Sequence, residues 1–358
     1  MVFKFLKKIF VFIFIFSLSI VFNIILQNSA EAKCARDSND AIKVDTVDQS
    51  AGNTTAFALT GTTDYDQDNC GEEPLFYRVT FYKLALCTSD PYNEGTGLNP
   101  TGVAPDLSSC TDLWSNTSGK IVVIEPDINT DLLESFEIGI GTYTHAFILL
   151  SNHIDVKHYE RFALKSNGKA ATIYGYKKDS GDQTGAYCWT KSVTTTYNND
   201  YSKTLHGETI PAQQTGTSAS DTLVCDSSAP TTATASYDYA TEIIDHFGDD
   251  NVTDDVDAFR NFSDYSTMDG INGKVAANLM QSDGSTLATT VANGVRIAHF
   301  QTLNPVLNID LNTIGMRLSF NTSESVSFDT AVNTSDEIHA IKVGADPFGV
   351  NYSLISAN

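Results

Sequence analysis

The chemistry open to this chain rests first on carboxylates. The run Asp64-Tyr65-Asp66-Gln67-Asp68-Asn69 places acidic side chains at alternate positions. That is how an EF-hand calcium loop begins, with such side chains converging on one ion. The rest of the pattern departs: its sixth position is Asn69 where a turn glycine belongs, and its twelfth is Leu75 where a bidentate glutamate closes the shell. Glu72 and Glu73 are the nearest substitutes for that closing ligand. A second region, Asp245 to Asp269, holds eight aspartates against the single Arg260. Such a concentration of like charge is costly unless water or an ion neutralises it. The expected calcium ligands are Asp64, Asp66 and Asp68 in the first run, and Asp249, Asp250, Asp254, Asp255 and Asp257 in the second. The simpler alternative for both is a hydrated acidic loop.

No other motif points to catalysis. His145, His153, His158, His206, His246, His299 and His339 are scattered, and H-E-x-x-H does not occur. In "HIDVKH" two histidines stand five apart, which in a strand sends them to opposite faces and prevents a shared metal. G-x-S-x-G and both common phosphate-cradling glycine loops are missing. No motif requires a cofactor. A carboxylate pair for glycoside cleavage is defined by separation in space rather than along the chain, so a carbohydrate-cleaving role stays open. Tyr65, Tyr92, Tyr197, Tyr201 and Tyr265 sit in polar stretches, where tyrosine suits contacts with sugars or proteins; strand propensity alone also accounts for many tyrosines.

The compartment is easier to read. Lys4, Lys7 and Lys8 precede an apolar run from Ile9 to Leu26, and Ala30-Glu31-Ala32 completes a cleavage pattern. Residues 1–32 therefore read as a secretory signal peptide, with an uncleaved anchor as the alternative because the apolar run is long. The six cysteines, Cys34, Cys70, Cys87, Cys110, Cys188 and Cys225, all follow that segment. An even number in an exported chain implies disulfides. Fifteen pairings exist; proximity along the chain favours Cys34–Cys70, Cys87–Cys110 and Cys188–Cys225. With 22 basic and 44 acidic residues the chain carries a net charge of −22. Such a surface repels nucleic acid and anionic membranes. No second long apolar run is present, so no membrane span is expected after cleavage.

These features must be positioned by strands. In "LFYRVTFYKLALC", Tyr77, Val79 and Phe81 share one face. The apolar phase then flips after Lys83 to Leu84 and Leu86, as at a β-bulge, and a long polar excursion runs from Cys87 to Cys110. "GKIVVIEP" is a second strand. From Tyr143 to Leu150 both faces become apolar, as in a central strand. The lead-in Gly141-Thr142-Tyr143-Thr144 resembles the approach to a late strand in prealbumin-like and immunoglobulin-like surface domains, which implies a sandwich fold. Short strands follow in "ATIYGY", "GAYCWTKSVTTTY" and "SDTLVC". The Pro/Ser/Thr/Ala-rich segment 226–236 predicts a linker, and "YATEIIDHFG" predicts a short helix stopped at Gly248. Strands resume in "GKVAANLMQS", "GVRIAHFQTL", "PVLNIDLN", "GMRLSFNT", "ESVSFDT", "IHAIKVG" and "GVNYSLI", with Met316, Leu318 and Phe320 facing inward.

The expected protein is all-β: a disulfide-stapled β-sandwich over residues 33–225, a linker over 226–236 and a second β-rich sandwich-like domain over 237–358, of immunoglobulin-like or prealbumin-like type. The expected location is secreted, periplasmic or on the cell surface. The expected role is non-enzymatic, as a structural, adhesion, surface-layer or appendage component with a protein partner or a second copy of itself. The alternative is an extracellular carbohydrate-binding or carbohydrate-cleaving protein, assisted by calcium, with a glycan partner.

Overall fold

The computed structural model describes residues 34, 36, 38–42, 69–91, 105–126, 128, 139–162, 172–173, 186–196, 203–210, 223–226, 228–245, 262–267, 272–323, 325–333, 338–345 and 348–357. Nearly all of the regular structure is β. In chain order the strands are β1 (Asn69–Glu72), β2 (Phe76–Cys87), β3 (Cys110–Ile124), β4 (Gly141–Lys157), β5 (Tyr159–Phe162), β6 (Thr172–Ile173), β7 (Ala186–Thr190), β8 (Val193–Thr196), β9 (Lys203–Leu205) and β10 (Glu208–Ile210). They continue as β11 (Leu223–Asp226), β12 (Ala240–Ile243), β13 (Phe262–Thr267), β14 (Lys274–Met280), β15 (Arg296–Ile309), β16 (Thr313–Asn321), β17 (Val326–Asn333), β18 (Ile338–Ala345) and β19 (Gly349–Ser356). Among the described residues the only helical turns are Leu107–Ser109 and Val291–Asn293.

The spine is β4. One of its edges pairs with β2, which carries β3 on its far side. The other edge is divided between two partners: β15 takes Gly141–Ser151 and β12 takes His153–Val156. Beyond β15 lie β14 and β13, and beyond β12 lies β8, running parallel to it. Asn152 stands at the division and is fully buried. Its backbone N–H donates to the Val295 carbonyl (3.3 Å) and its own carbonyl accepts from Ile244 N–H (2.8 Å). Its side-chain Nδ2 donates to the carbonyls of Gly294 (2.8 Å) and Ile244 (3.0 Å). One residue thus satisfies backbone groups from both strands where neither can pair regularly, and a buried carbonyl left without a donor would be costly.

Both faces of the spine are buried, as its sequence implies. Ala146, Ile148 and Leu150 join the main core, and Phe147 and Leu149 join a second core on the opposite side with Ala298 and Phe300. The phase flip in β2 is real. Register shifts against both neighbours between Phe81 and Lys83, so that Tyr77, Val79 and Phe81, and then Leu84 and Leu86, all reach the main core. Without the bulge, the even-numbered leucines would face the other way.

Residues 313–356 form one long antiparallel hairpin. β16 pairs with β19 and β17 with β18, in registers that differ by one residue: Asn321 lies opposite Gly349 and Val326 opposite Ala345. Met316, Leu318 and Phe320 face the main core, where Phe320 meets Phe81 edge-on at 5.9 Å. Glu242 on β12 is buried and accepts the backbone N–H of Ala345 on β18. Gly344 leaves room for it, since a Cβ there would lie 3.0 Å from Glu242 Oε2 and 2.6 Å from Ser327 Oγ.

Three expectations change. Residues 33–358 form one compact unit, and the large sheet draws β2, β3, β4 and β8 from before the segment 226–236 and β12 to β15 from after it. The expected linker is therefore a connection within one sheet; its composition marks a turn-rich loop, and loops join strands of one sheet as readily as they join domains. The stretch expected to be helical begins with β12, because Ala240–Ile243 pairs with β4 and β8. "PVLNIDLN" is not a separate strand but the second half of β15, displaced in register between Thr302 and Leu307.

The excursion 88–109 closes at its base. Cys87 and Cys110 face each other across the β2–β3 ladder and form a disulfide, with their Cα atoms 3.8 Å apart. Cys34 and Cys188 are each in a disulfide as well, and Cys188 lies across the β7–β11 ladder from Cys225. The Cys87→Ser/Cys110→Ser double variant is expected to lose about 3 kcal/mol of stability, as for a loop of this length. Urea denaturation checks this; a loss below about 1 kcal/mol would deny the staple its role.

Candidate interaction surface

The residues nominated for calcium, Asp64, Asp66, Asp68, Asp249, Asp250, Asp254, Asp255 and Asp257, lie outside the described residues. So do Tyr65, Tyr92, Tyr197 and Tyr201, while Tyr265 falls in the backbone of β13. Among the described residues no group of three or more His, Cys, Asp or Glu side chains is placed to hold a metal. The charged clusters that the fold does assemble serve other ends.

The most enclosed of these is built on Arg36. Its guanidinium makes paired hydrogen bonds to Glu160 on β5 (2.9 and 3.0 Å) and a 2.9 Å ion pair with Glu72 on β1. The buried His158 donates from Nε2 to Glu160 (3.0 Å) while its Nδ1 accepts Leu75 N–H (3.3 Å). Burial outweighs Arg36 at Glu72 and raises its carboxyl above the usual range. At Glu160 burial pulls the same way, but hydrogen bonds from His158 and Arg36 prevail and hold it lower. Every member of the cluster is turned toward another. Together with the fully buried Ile42, which bridges to Phe162, it fastens the segment around residue 36 to β1 and β5.

A group of tyrosines and cations lies on the outer face of the spine. Arg78 stacks on Tyr239 (4.0 Å) and Lys157 on Tyr237 (4.4 Å), with Tyr159 edge-on to Tyr237 (6.1 Å). Asp155 accepts from Arg78 (2.7 Å) and Thr241 (2.6 Å), and Trp189 Nε1 donates to Ser236 (3.0 Å). These contacts hold residues 236–241 against β2, β4 and β7. Aromatic faces already covered by cations are poorly placed to stack on a sugar.

One corner of the molecule has no such structural explanation. Ile140 precedes β4, whose Gly141 pairs with Ile309 at the end of β15. A tight turn follows, closed by Thr313 N–H to the Asp310 carbonyl (3.1 Å), with Asp310 Oδ1 accepting Asn312 N–H (2.9 Å). β19 ends beside it: Ser356 lies opposite Thr313, and Ala357 N–H donates to the Asn312 carbonyl (2.8 Å). At this corner Leu311 is 87% exposed, Ile314 68%, Ile140 65% and Ile355 42%; Val306, on the displaced stretch of β15, adds 40%. Five of the eight large exposed apolar side chains among the described residues thus gather where β4, β15, β16 and β19 end. A leucine projecting from a turn contributes nothing to the core, and polar residues are the usual choice there. Clustered exposed aliphatics mark a surface meant to be covered.

No family model matches the chain, and no curated protein or solved structure matches it. The interaction corner gave no sign in the sequence, because isolated leucines and isoleucines in β-rich stretches read as core. Arg36 was equally silent, since its partners stand 36 and 124 positions away.

One imidazole with an enclosed ring nitrogen is expected to make the fold sensitive to pH. His299 on β15 has its Nε2 enclosed and without a hydrogen-bond partner among the described residues. Burial lowers its pKa from 6.5 to about 4. Between these values the unfolded chain binds the proton and the native one does not, so this contribution to stability is whole above about pH 6.5 and is lost progressively toward pH 4. The slope is at most about 1.4 kcal/mol per pH unit for one proton. His299→Leu is expected to flatten the acid limb of a pH series of urea midpoints by that one-proton share. An unchanged slope would mean that the imidazole is solvated.

Proposed function

We propose that the protein is an exported, non-enzymatic β-sandwich protein that assembles with further copies of itself as a structural component of the cell exterior. The observation that carries this reading is the aliphatic corner around Leu311. Self-association is favoured over another partner by charge. Copies of a chain with net charge −22 repel one another except through neutral surface. The arm made by β16 and β19 is such a surface: Arg317 is its one charged residue, and it runs directly into the corner. The β16–β19 ladder pairs with no other described strand.

An apolar, export-directing segment at residues 1–32 and disulfides at Cys87–Cys110, Cys34–Cys70 and Cys188–Cys225 complete this reading. Disulfides belong in an oxidising compartment. Among the described residues no helix is long and apolar enough to cross a membrane.

Sedimentation velocity over a concentration series, with electron micrographs of the same samples, tests the proposal. Wild-type protein is expected to form larger species as concentration rises. The Leu311→Asp/Ile314→Asp variant is expected to stay monomeric with its melting temperature within a degree or two of wild type, since neither side chain supports the core. A wild type that stays monomeric throughout, or a variant that assembles equally well, would refute it.

A further inference from the structure

The small hairpin β9–β10 is set apart from the rest of the fold. Among the described strands these two pair only with each other, over three residues each. Its two-residue turn, His206-Gly207, has both φ angles positive, at 52° and 85°, which matches the twist of a tight hairpin. A two-stranded ribbon of this size does not hold itself together in water. It is kept in place by a small apolar cluster in which Leu205 and Ile210 cover the fully buried Ile243 of β12, with Val291 alongside. It is also kept in place at its turn. There the His206 ring lies 5.7 Å from the ring of His153 on β4.

The charges around this contact are few. His153 and His206 sit beside Asp155 on β4, Glu208 on the hairpin and Asp245 just past β12. Asp155 is engaged with Arg78 and Thr241. Asp245 is almost fully buried. The His206 ring is also hydrogen-bonded to the backbone of Gly294, whose carbonyl accepts Asn152 Nδ2 at the divided edge of the spine. At His206 the hydrogen bond to Gly294 and the charge of Asp245, and at His153 the carboxylates of Asp155 and Glu208, favour protonation. Burial opposes it and dominates at both, and at His206 the neighbouring His153 opposes it as well, so both imidazoles are held below the ordinary histidine range. At neutral pH the rings are therefore uncharged and can pack. Acid would put two positive charges in contact at the point where the hairpin is fastened.

We propose that β9–β10 is a flap latched by the His153–His206 contact at neutral pH and released by acid, uncovering Ile243 and the buried polar groups at Asn152 while the main sheet stays closed. Local opening of a weakly held element without global unfolding is a general property of folded proteins. This one couples it to the protonation of two defined rings.

Hydrogen exchange followed by mass spectrometry on the full chain, at a series of pH values from 7.5 to 5 and corrected for intrinsic exchange rates, tests the flap. The peptide spanning 203–210 is expected to lose about 10-fold or more of its protection over that range, while peptides from 141–150 and 296–302 keep theirs. His206→Asn, which tolerates the left-handed backbone at this position, is expected to remove most of that pH dependence. His153→Gln should do the same from the other side of the contact. Flap protection that stays constant with pH would overturn the proposal. So would loss of flap and core protection together, or an acid response that survives in both variants.

Discussion

A single edge of β4 has to serve two strands, and the way it does so governs the rest of the molecule. β15 leaves that edge at Ser151 and β12 takes it up at His153. Regular antiparallel pairing cannot continue through such a change of partner, so carbonyls at Gly294 and Ile244 would be stranded in a buried place. Asn152 meets both with one amide. A hydrophobic residue there would fill the space but leave the carbonyls unsatisfied, at about 1–3 kcal/mol each. Because the division is bridged, β15 and β12 follow one another along a single edge of the spine, opposite β2. β12 is then held where Glu242 can reach across to Ala345 on the long hairpin. The amide at residue 152 thus joins the large sheet in its own plane, and the carboxylate at residue 242 ties it to the layer packed on it.

Electrostatics sets the character of the surface. The chain has half as many basic residues as acidic ones, and several of the described bases are already engaged. Arg36 holds Glu72 and Glu160, Arg78 holds Asp155 and stacks on Tyr239, Lys83 meets Asp112, and Arg296 lies 3.8 Å over Tyr82. Cations engaged in this way stitch segments together and are not presented as a binding patch. Exposed apolar side chains gather instead at the corner where the β16–β19 arm meets the ends of β4 and β15, beside the turn carboxylate of Asp310.

Strands were legible in the sequence wherever alternation was strong. The central character of β4, the bulge in β2 and the inward face of β16 all follow from the phases of their apolar residues. What was hidden depends on partners distant in sequence. β12 looked helical because its inward position 242 is a glutamate, and a buried glutamate breaks the alternation that identifies a strand. β9–β10 offered only three residues on each side of its turn, too short a window for a period to show. The sheet's continuity across 226–236 was invisible because pairing between β4 and β15 is a long-range property, whereas composition is local. At the corner, exposure and not residue type carries the information. Leu311 and Ile309 are the same kind of residue two positions apart, yet one projects into solvent and the other is in the core.

The most direct test of the shared spine is native-state hydrogen exchange on wild type and on Asn152→Ala, comparing amides of β4 paired to β15 with amides of β4 paired to β12 and with β2. One sheet joined at residue 152 predicts that in wild type all three groups open with a common free energy, and that the substitution lowers all three by a similar amount, about 1–3 kcal/mol. Separate opening energies for the β15-paired and β12-paired parts of β4 in wild type, or a substitution that weakens one side of residue 152 and leaves the other at full protection, would contradict it.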